Sequence, residues 1–170
     1  NTLCNGTSLT LSAAGGGTYL WSTGNTTATL EVMPTINTTY SVTVMAASGC
    51  TASAAHSVEV AALPEVRLQS TQEACGQGNG TALAVASGGS GGPFRYVWNN
   101  GATTSTIQRL ASGVYTVTVF DKNNCAQTGN IQIDNLPGPL GNAGTDVSVC
   151  AGGSVILNAF ATGGTPPYTY

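Results

Sequence analysis

Charge is scarce in this chain: 170 residues carry four Lys or Arg and seven Asp or Glu, for a net charge of −3. With so few cations there is no basic stripe to track a phosphate backbone, which argues against a nucleic-acid partner. A single histidine, His56, leaves no material for a His-based metal site or a Ser-His triad. No apolar run approaches the roughly 18 residues of a membrane helix, so membrane insertion of this segment is not expected. Helical periodicity is nearly absent as well. Residues 48–57 are Ala-rich, but they include Gly49 and Cys50 and carry no apolar stripe, so they read as turn and strand. Neither an initiator Met nor a signal peptide is visible, which suggests a segment of something longer. No catalytic residues, no metal site and no cofactor are expected.

What the chain does have is Gly, Ser, Thr, Ala and Asn, with Val and Leu to build a core. Residues 93–125 show the organisation best. Tyr96-Val97-Trp98 closes one strand, and Asn99-Asn100-Gly101 supplies hairpin chemistry, since Asn and Gly tolerate positive φ. Thr104 to Leu110 reads as a second strand. Val114 to Phe120 then alternates, with Tyr115, Val117 and Val119 on one face and Thr116 and Thr118 on the other, the period of a half-buried strand.

This pattern recurs. Cys4, Cys75 and Cys150 each open a copy, followed by an alternating strand (Leu9, Leu11 and Ala13 against Val155, Leu157 and Ala159), then a glycine run. Gly15-Gly16-Gly17 leads into Tyr19-Leu20-Trp21, Gly88 to Gly92 into Tyr96-Val97-Trp98, and Gly163-Gly164 into Tyr168-Thr169-Tyr170. Tyr40 and Tyr115 each precede a second cysteine, Cys50 and Cys125, by ten residues. Leu63-Pro64 and Leu136-Pro137 mark the joints. Three landmarks thus agree on one period, which makes an internal repeat the basis of the architecture. About seven short strands per repeat predict an all-β chain of tandem immunoglobulin-like β-sandwiches, the third incomplete. The boundaries fall at 1–63, 64–137 and 138–170.

Five cysteines leave one over. The repeat predicts pairing within each copy, Cys4 with Cys50 and Cys75 with Cys125, leaving Cys150 to a partner beyond residue 170. Reduced core thiols are the alternative. A sandwich near 70 residues has a marginal core. Closing a loop of about 50 residues contributes on the order of 4 kcal/mol in the chain-entropy model, so such bonds would matter and would imply an oxidising compartment.

The middle copy carries a recognisable signature: Cys75, Gly88-Gly89, Pro93-Phe94-Arg95-Tyr96-Val97-Trp98, Asn100-Gly101-Ala102-Thr103-Thr104, Leu110 to Val119, and Asp121-Lys122-Asn123-Asn124-Cys125. It closely resembles the SprB repeat of very large surface adhesins in gliding Bacteroidota, and Gly163 to Tyr170 is similar to the same signature. The first copy lacks the Pro-aromatic insertion and looks more like the immunoglobulin- or PKD-like domains beside such repeats. The resemblance implies type IX export, display at the extracellular cell surface, a role in adhesion or gliding motility, and no catalytic residues. The C-terminal export signal of such proteins is absent from this sequence. Neighbouring repeats of the same chain are the expected partners, with surface polysaccharide or other cell-surface proteins beyond them. The leading expectation is a non-catalytic, semi-rigid spacer in a long extracellular stalk. The alternatives are a carbohydrate-binding accessory module of a secreted enzyme and a subunit of an extracellular filament.

Particular side chains admit a functional and a plain reading. Trp21 and Trp98 suit either a sugar-stacking platform or a sandwich core, and core is expected, as it is for Tyr40 and Tyr115. Asp121 to Asn124 has the look of a weak calcium loop, but one carboxylate in a four-residue turn reads better as a turn. Asp134 and Asp146 flank a linker and offer at most a shared ion. The four basic side chains, Arg67, Arg95, Arg109 and Lys122, all lie in the middle copy.

Overall fold

The fold was derived from a computed structural model that describes residues 2–169. Tyr170, the last residue of the third glycine-aromatic signature, lies outside the described residues. Those described form strands and turns with no helix. In chain order the strands are β1 Thr2–Cys4, β2 Leu9–Ser12, β3 Thr18–Trp21, β4 Thr29–Val32, β5 Thr38–Met45, β6 Thr51–Ala61, β7 Pro64–Thr71 and β8 Glu73–Ala74. There follow β9 Gly80–Gly88, β10 Arg95–Trp98, β11 Thr106–Leu110, β12 Gly113–Phe120, β13 Ala126–Ile133, β14 Asn135–Leu136, β15 Leu140–Asn142 and β16 Phe160–Thr162.

Strands β1 to β6 make a sandwich. One sheet runs β1-β6-β5-β3 and the other is the antiparallel pair β2-β4. Alternation along each strand sends one face inward, and the inward residues meet. Leu30 and Val32 of β4 pack with Trp21 of β3, Tyr40 and Val42 of β5 and Val58 of β6 in one buried cluster, with Leu9 and Leu11 of β2 against it. Strands β7 to β14 repeat the wiring, with sheets β11-β9-β7 and β10-β12-β13. In both sets the chain leaves one sheet for a strand of the other and returns, with β3 lying in sequence between β2 and β4, and β10 between β9 and β11. In both, the short opening strand runs parallel to the closing one, β1 beside β6 and β8 beside β14. These are tandem immunoglobulin-like β-sandwiches. Gly80 of β9 shows how closely the second set is packed: a Cβ there would lie 2.8 Å from the Ile133 side chain and 2.9 Å from the Leu110 carbonyl. From residue 138 onward the described residues hold one antiparallel pair, β15 with β16.

Asn99-Asn100-Gly101 does not close a hairpin. β10 belongs to the sheet with β12 and β11 to the sheet with β9, so the turn carries the chain from one sheet to the other. The Asn99 side chain explains this. Its Oδ1 accepts from the Thr116 N–H at 3.3 Å and its Nδ2 donates to the Val114 carbonyl at 3.4 Å, tying the end of β10 sideways onto β12.

By contact the chain divides into two compact units, and these do not follow the repeat period. One comprises residues 1–67, 86–97 and 118–128; the other comprises 68–85, 98–117 and 129–170.

The cysteine pairing within each copy is overturned. Cys4 is bonded to Cys125, with a sequence separation of 121, and Cys50, Cys75 and Cys150 are exposed free thiols. The reason is strand geometry. Cys4 ends β1 opposite Ala61, at one end of β6, whereas Cys50 immediately precedes the other end. The 11 residues of β6 separate them, about 36 Å at a strand's rise per residue, and a disulfide needs Cα atoms within ~7 Å. The second repeat has the same layout. Cys125 immediately precedes β13, while Cys75 donates its N–H to the carbonyl of Leu136, beyond the strand's far end.

Candidate functional site

Two buried carboxylates, Asp121 and Glu73, each organise the backbone beside a cysteine. The turn after β12 is built on Asp121, 4 % exposed. Its Oδ1 accepts from the N–H groups of Asn123 and Cys125, both at 2.9 Å, and its Oδ2 accepts from the N–H of Ser90 at 2.7 Å. The backbone closes the same turn: Asp121 N–H donates to Cys125 O at 3.0 Å, and Asn124 N–H to Asp121 O at 3.0 Å. Asn124 adopts φ of 62°, a left-handed conformation that Asn bears better than most residues. Burial alone would raise the Asp121 pKa. Three backbone donors outweigh it and hold the group below the usual carboxylate value. With both oxygens accepting from backbone N–H groups, the carboxylate anchors the turn.

That carboxylate also draws in the glycine run. Gly89, at φ +58°, leaves no room for a side chain: a Cβ would lie 2.8 Å from Asp121 Oδ2 and 3.0 Å from the Pro64 nitrogen. So Asp121 fixes the cysteine turn, Gly89 lets it close on Pro64, and Pro64 starts the strand after the first linker. The crosslink completes the arrangement by fastening Cys125, 1 % exposed, to the end of β1. Arg95 lays its guanidinium 3.8 Å above the Phe120 ring, at the end of the strand that enters the turn.

A second buried carboxylate, Glu73 at 3 % exposure, organises the loop that carries Cys75. Its Oε1 accepts from Gly78 N–H at 2.6 Å and its Oε2 from Ser112 N–H at 2.5 Å. These two bonds lower its pKa, Gly78 contributing most. Asn79 and Asn135 hold the same loop through Ala74 and Gly76. Cys75 itself sits at φ 58° with its thiol exposed.

Of the four candidate aromatics, three are buried and one is half-buried. Trp21 and Trp98 are buried, and each donates its indole N–H at 2.9 Å to a backbone carbonyl six residues on, Thr27 and Thr104 respectively. Tyr40 is buried in the first core; Tyr115 is half-buried and donates its hydroxyl to Ala111 O at 3.1 Å. His56 lies exposed on β6, and Asp134 and Asp146 are exposed. Sequence reasoning placed Asp121 in a turn but missed its bond to Ser90, and it missed the roles of Glu73 and Gly89. The signal for Asp121 was the residue type in a turn, since an Asp side chain accepts from the backbone N–H two residues on, as it does from Asn123.

No family model matches the chain, and no curated protein matches it by sequence. Among solved structures it is similar to the N-terminal four immunoglobulin domains of Dscam1, at 12 % identity over 79 % of this chain and 43 % of that one, with a TM-score of 0.36. It is similar to murine CEACAM1b, at 12 % identity over 79 % of this chain and 95 % of that one, TM-score 0.36. The insect immune protein hemolin gives 11 % identity over 79 % and 44 %, TM-score 0.38. The chain thus spans less than half of the Dscam1 and hemolin structures. The immunoglobulin-like assignment rests on the strand order of both sandwiches and on the core between the sheets of the first.

Proposed function

We propose that this chain is a non-catalytic segment of a large extracellular adhesin, with repeats at 1–63, 64–137 and the start of a third at 138–170. In that role it is a semi-rigid spacer that holds an adhesive surface away from the cell, of the kind used in adhesion or gliding. The observation that carries the reading is the Cys4–Cys125 crosslink. It bypasses the Leu63-Pro64 linker and fastens one repeat to the cysteine turn of the next, so bending at that linker is opposed by a covalent bond as well as by the fixed φ of proline. A spacer needs stiff joints; an enzyme or a simple binding module does not. The crosslink also fits an oxidising, extracytoplasmic setting. The SprB-type signature of residues 75–125 supports the more specific assignment to gliding adhesins exported by the type IX route. Partners on this reading are adjoining repeats, with cell-surface polysaccharide or proteins at the tip. The carbohydrate-module alternative loses its platform, because neither Trp21 nor Trp98 exposes a stacking face.

An antibody against the chain tests the cellular half of this reading. It should label intact source cells, and labelling should disappear when the type IX translocon is disabled. Labelling only after permeabilisation would overturn it.

A further inference from the structure

Three thiols, Cys50, Cys75 and Cys150, remain free and exposed beside the one bonded pair. We propose that Cys4–Cys125 is one rung of a ladder in which the first-position cysteine of each repeat is joined to the second-position cysteine of the next. Cys75 then pairs forward with the cysteine turn of a following repeat, and Cys50 pairs backward with a first-position cysteine of a preceding one. This rests on the repeat organisation proposed above and adds a rule for every cysteine in it.

The two first-position cysteines lie at the same end of their repeats, one residue apart in register: Cys4 pairs with Ala61 as Ala74 pairs with Leu136, and Cys75 is the residue after Ala74. Cys4 ends β1 opposite Ala61, and the next residue, Asn5, donates its N–H to Ala61 O at 2.9 Å. Cys75 follows β8, which pairs with β14, and donates its own N–H to Leu136 O at 2.9 Å. Each therefore sits where its repeat's closing strand runs into a proline linker. The second-position cysteines match as well. Ala46 N–H donates to Cys50 O and Gly49 N–H to Ala46 O, both at 2.9 Å, as Asp121 and Asn124 do around Cys125. Gly49 and Asn124 share the positive φ that the turn requires.

A third observation is independent of the cysteines. In the second repeat the bonded turn rests on the contact of Gly89 with Pro64. The same contact is already formed beside Cys75: Gly164 has φ +63°, and a Cβ there would lie 2.8 Å from the Pro139 nitrogen. A Cβ on Gly138 would lie 3.2 Å from the Cys75 Sγ. The seat for the next cysteine turn is thus built on the linker next to an exposed thiol. Each rung would form by exchange with an oxidant of the disulfide class, such as an oxidised low-molecular-weight thiol. One cysteine thiolate attacks the oxidant's disulfide and expels its first thiol. The second thiolate attacks the mixed disulfide and expels the other, so two protons and two electrons leave the protein with the two released thiol molecules.

The test extends the full chain with a copy of residues 97–137, which completes the third repeat in register because Tyr170 aligns with Tyr96. After oxidation with glutathione disulfide, free thiols are alkylated and the unreduced protein is digested and mapped by mass spectrometry. The expected result is a Cys75 peptide joined to the copied Cys125 peptide, with Cys50 and Cys150 alkylated. A bond from the copied cysteine to Cys150, or alkylation of Cys75, would overturn the ladder. A second chain carrying C150S removes the competing partner, and absence of the Cys75 bond there overturns it too. The Cys4–Cys125 link serves as an internal control for folding, and its loss in both chains would remove the template and the ladder with it. Failure of the adhesin reading shows separately, in the surface labelling.

Discussion

The two second-position cysteines sit in turns of one backbone design, yet only one of them is bonded. Around Cys125 the turn has a buried carboxylate at its first residue, a glycine run drawn onto that carboxylate, and a disulfide. Around Cys50 the corresponding residue is Ala46, and the thiol is exposed. Backbone hydrogen bonds alone are therefore enough to shape the turn. The carboxylate adds attachment: through Ser90 it binds the turn to the glycine run lying over Pro64. Only the turn that faces a joint within the described residues carries this fixture.

Removing the bond should separate the two turns most sharply. Cys125→Ser opens a loop of 121 residues, which in the chain-entropy model costs about 5 kcal/mol. Cys50→Ser should cost under ~0.5 kcal/mol, as expected of an exposed side chain without a partner. Chemical denaturation followed by tryptophan fluorescence checks both, and equal losses would erase the distinction. Asp121→Ala comes next. It removes the acceptor of three N–H groups, one of them on buried Cys125, and should cost about 3 kcal/mol, while Ala46→Asp should leave the denaturation midpoint nearly unmoved. Gly89→Ala should cost about 2 kcal/mol, since positive φ and a close approach add together; Gly101→Ala, at φ +85° with nothing within 4 Å, should cost about 1 kcal/mol.

Acid should reveal the smallest difference. Asp121 and Glu73 have folded pKa values below their ordinary ones. Their contribution to stability is therefore complete above the unfolded carboxylate pKa and is lost as pH falls through the folded values. The residues around Trp98 should loosen first on acidification. Those around Trp21 should follow later, because the carboxylates of that repeat, Glu31 and Glu59, are exposed. Single-tryptophan variants titrated downward from pH 5 would show the order, and simultaneous loss would contradict it.

Much of the fold was legible in the sequence because sandwich strands announce themselves by alternation. The inward residues of β12, Val117 and Val119, could be named from the period of two, and the repeat spacing carried the same reading to β5. The cysteine partners were not legible, for a geometric reason. The repeat shows which cysteines are equivalent, but equivalence is silent on whether a bond closes within a copy or steps to the next. Deciding that requires knowing that β6 runs its full length between Cys4 and Cys50. Likewise Asn99-Asn100-Gly101 was readable as a turn, but whether it joins two strands of one sheet or crosses between sheets depends on Asn99 finding Val114 and Thr116, a tertiary contact. Asp121 was visible as a turn residue, whereas its reach to Ser90, 31 positions away, was not.

Pulling single molecules from their two ends tests the crosslink directly. In the oxidised chain, force passes from Cys4 to Cys125 and shields everything between. Reduction should release one increment of contour length spanning 121 residues, about 435 Å at full extension. Two separate increments of about 165 and 180 Å, the lengths for bonds closed inside each repeat, or no increment at all, would contradict the account.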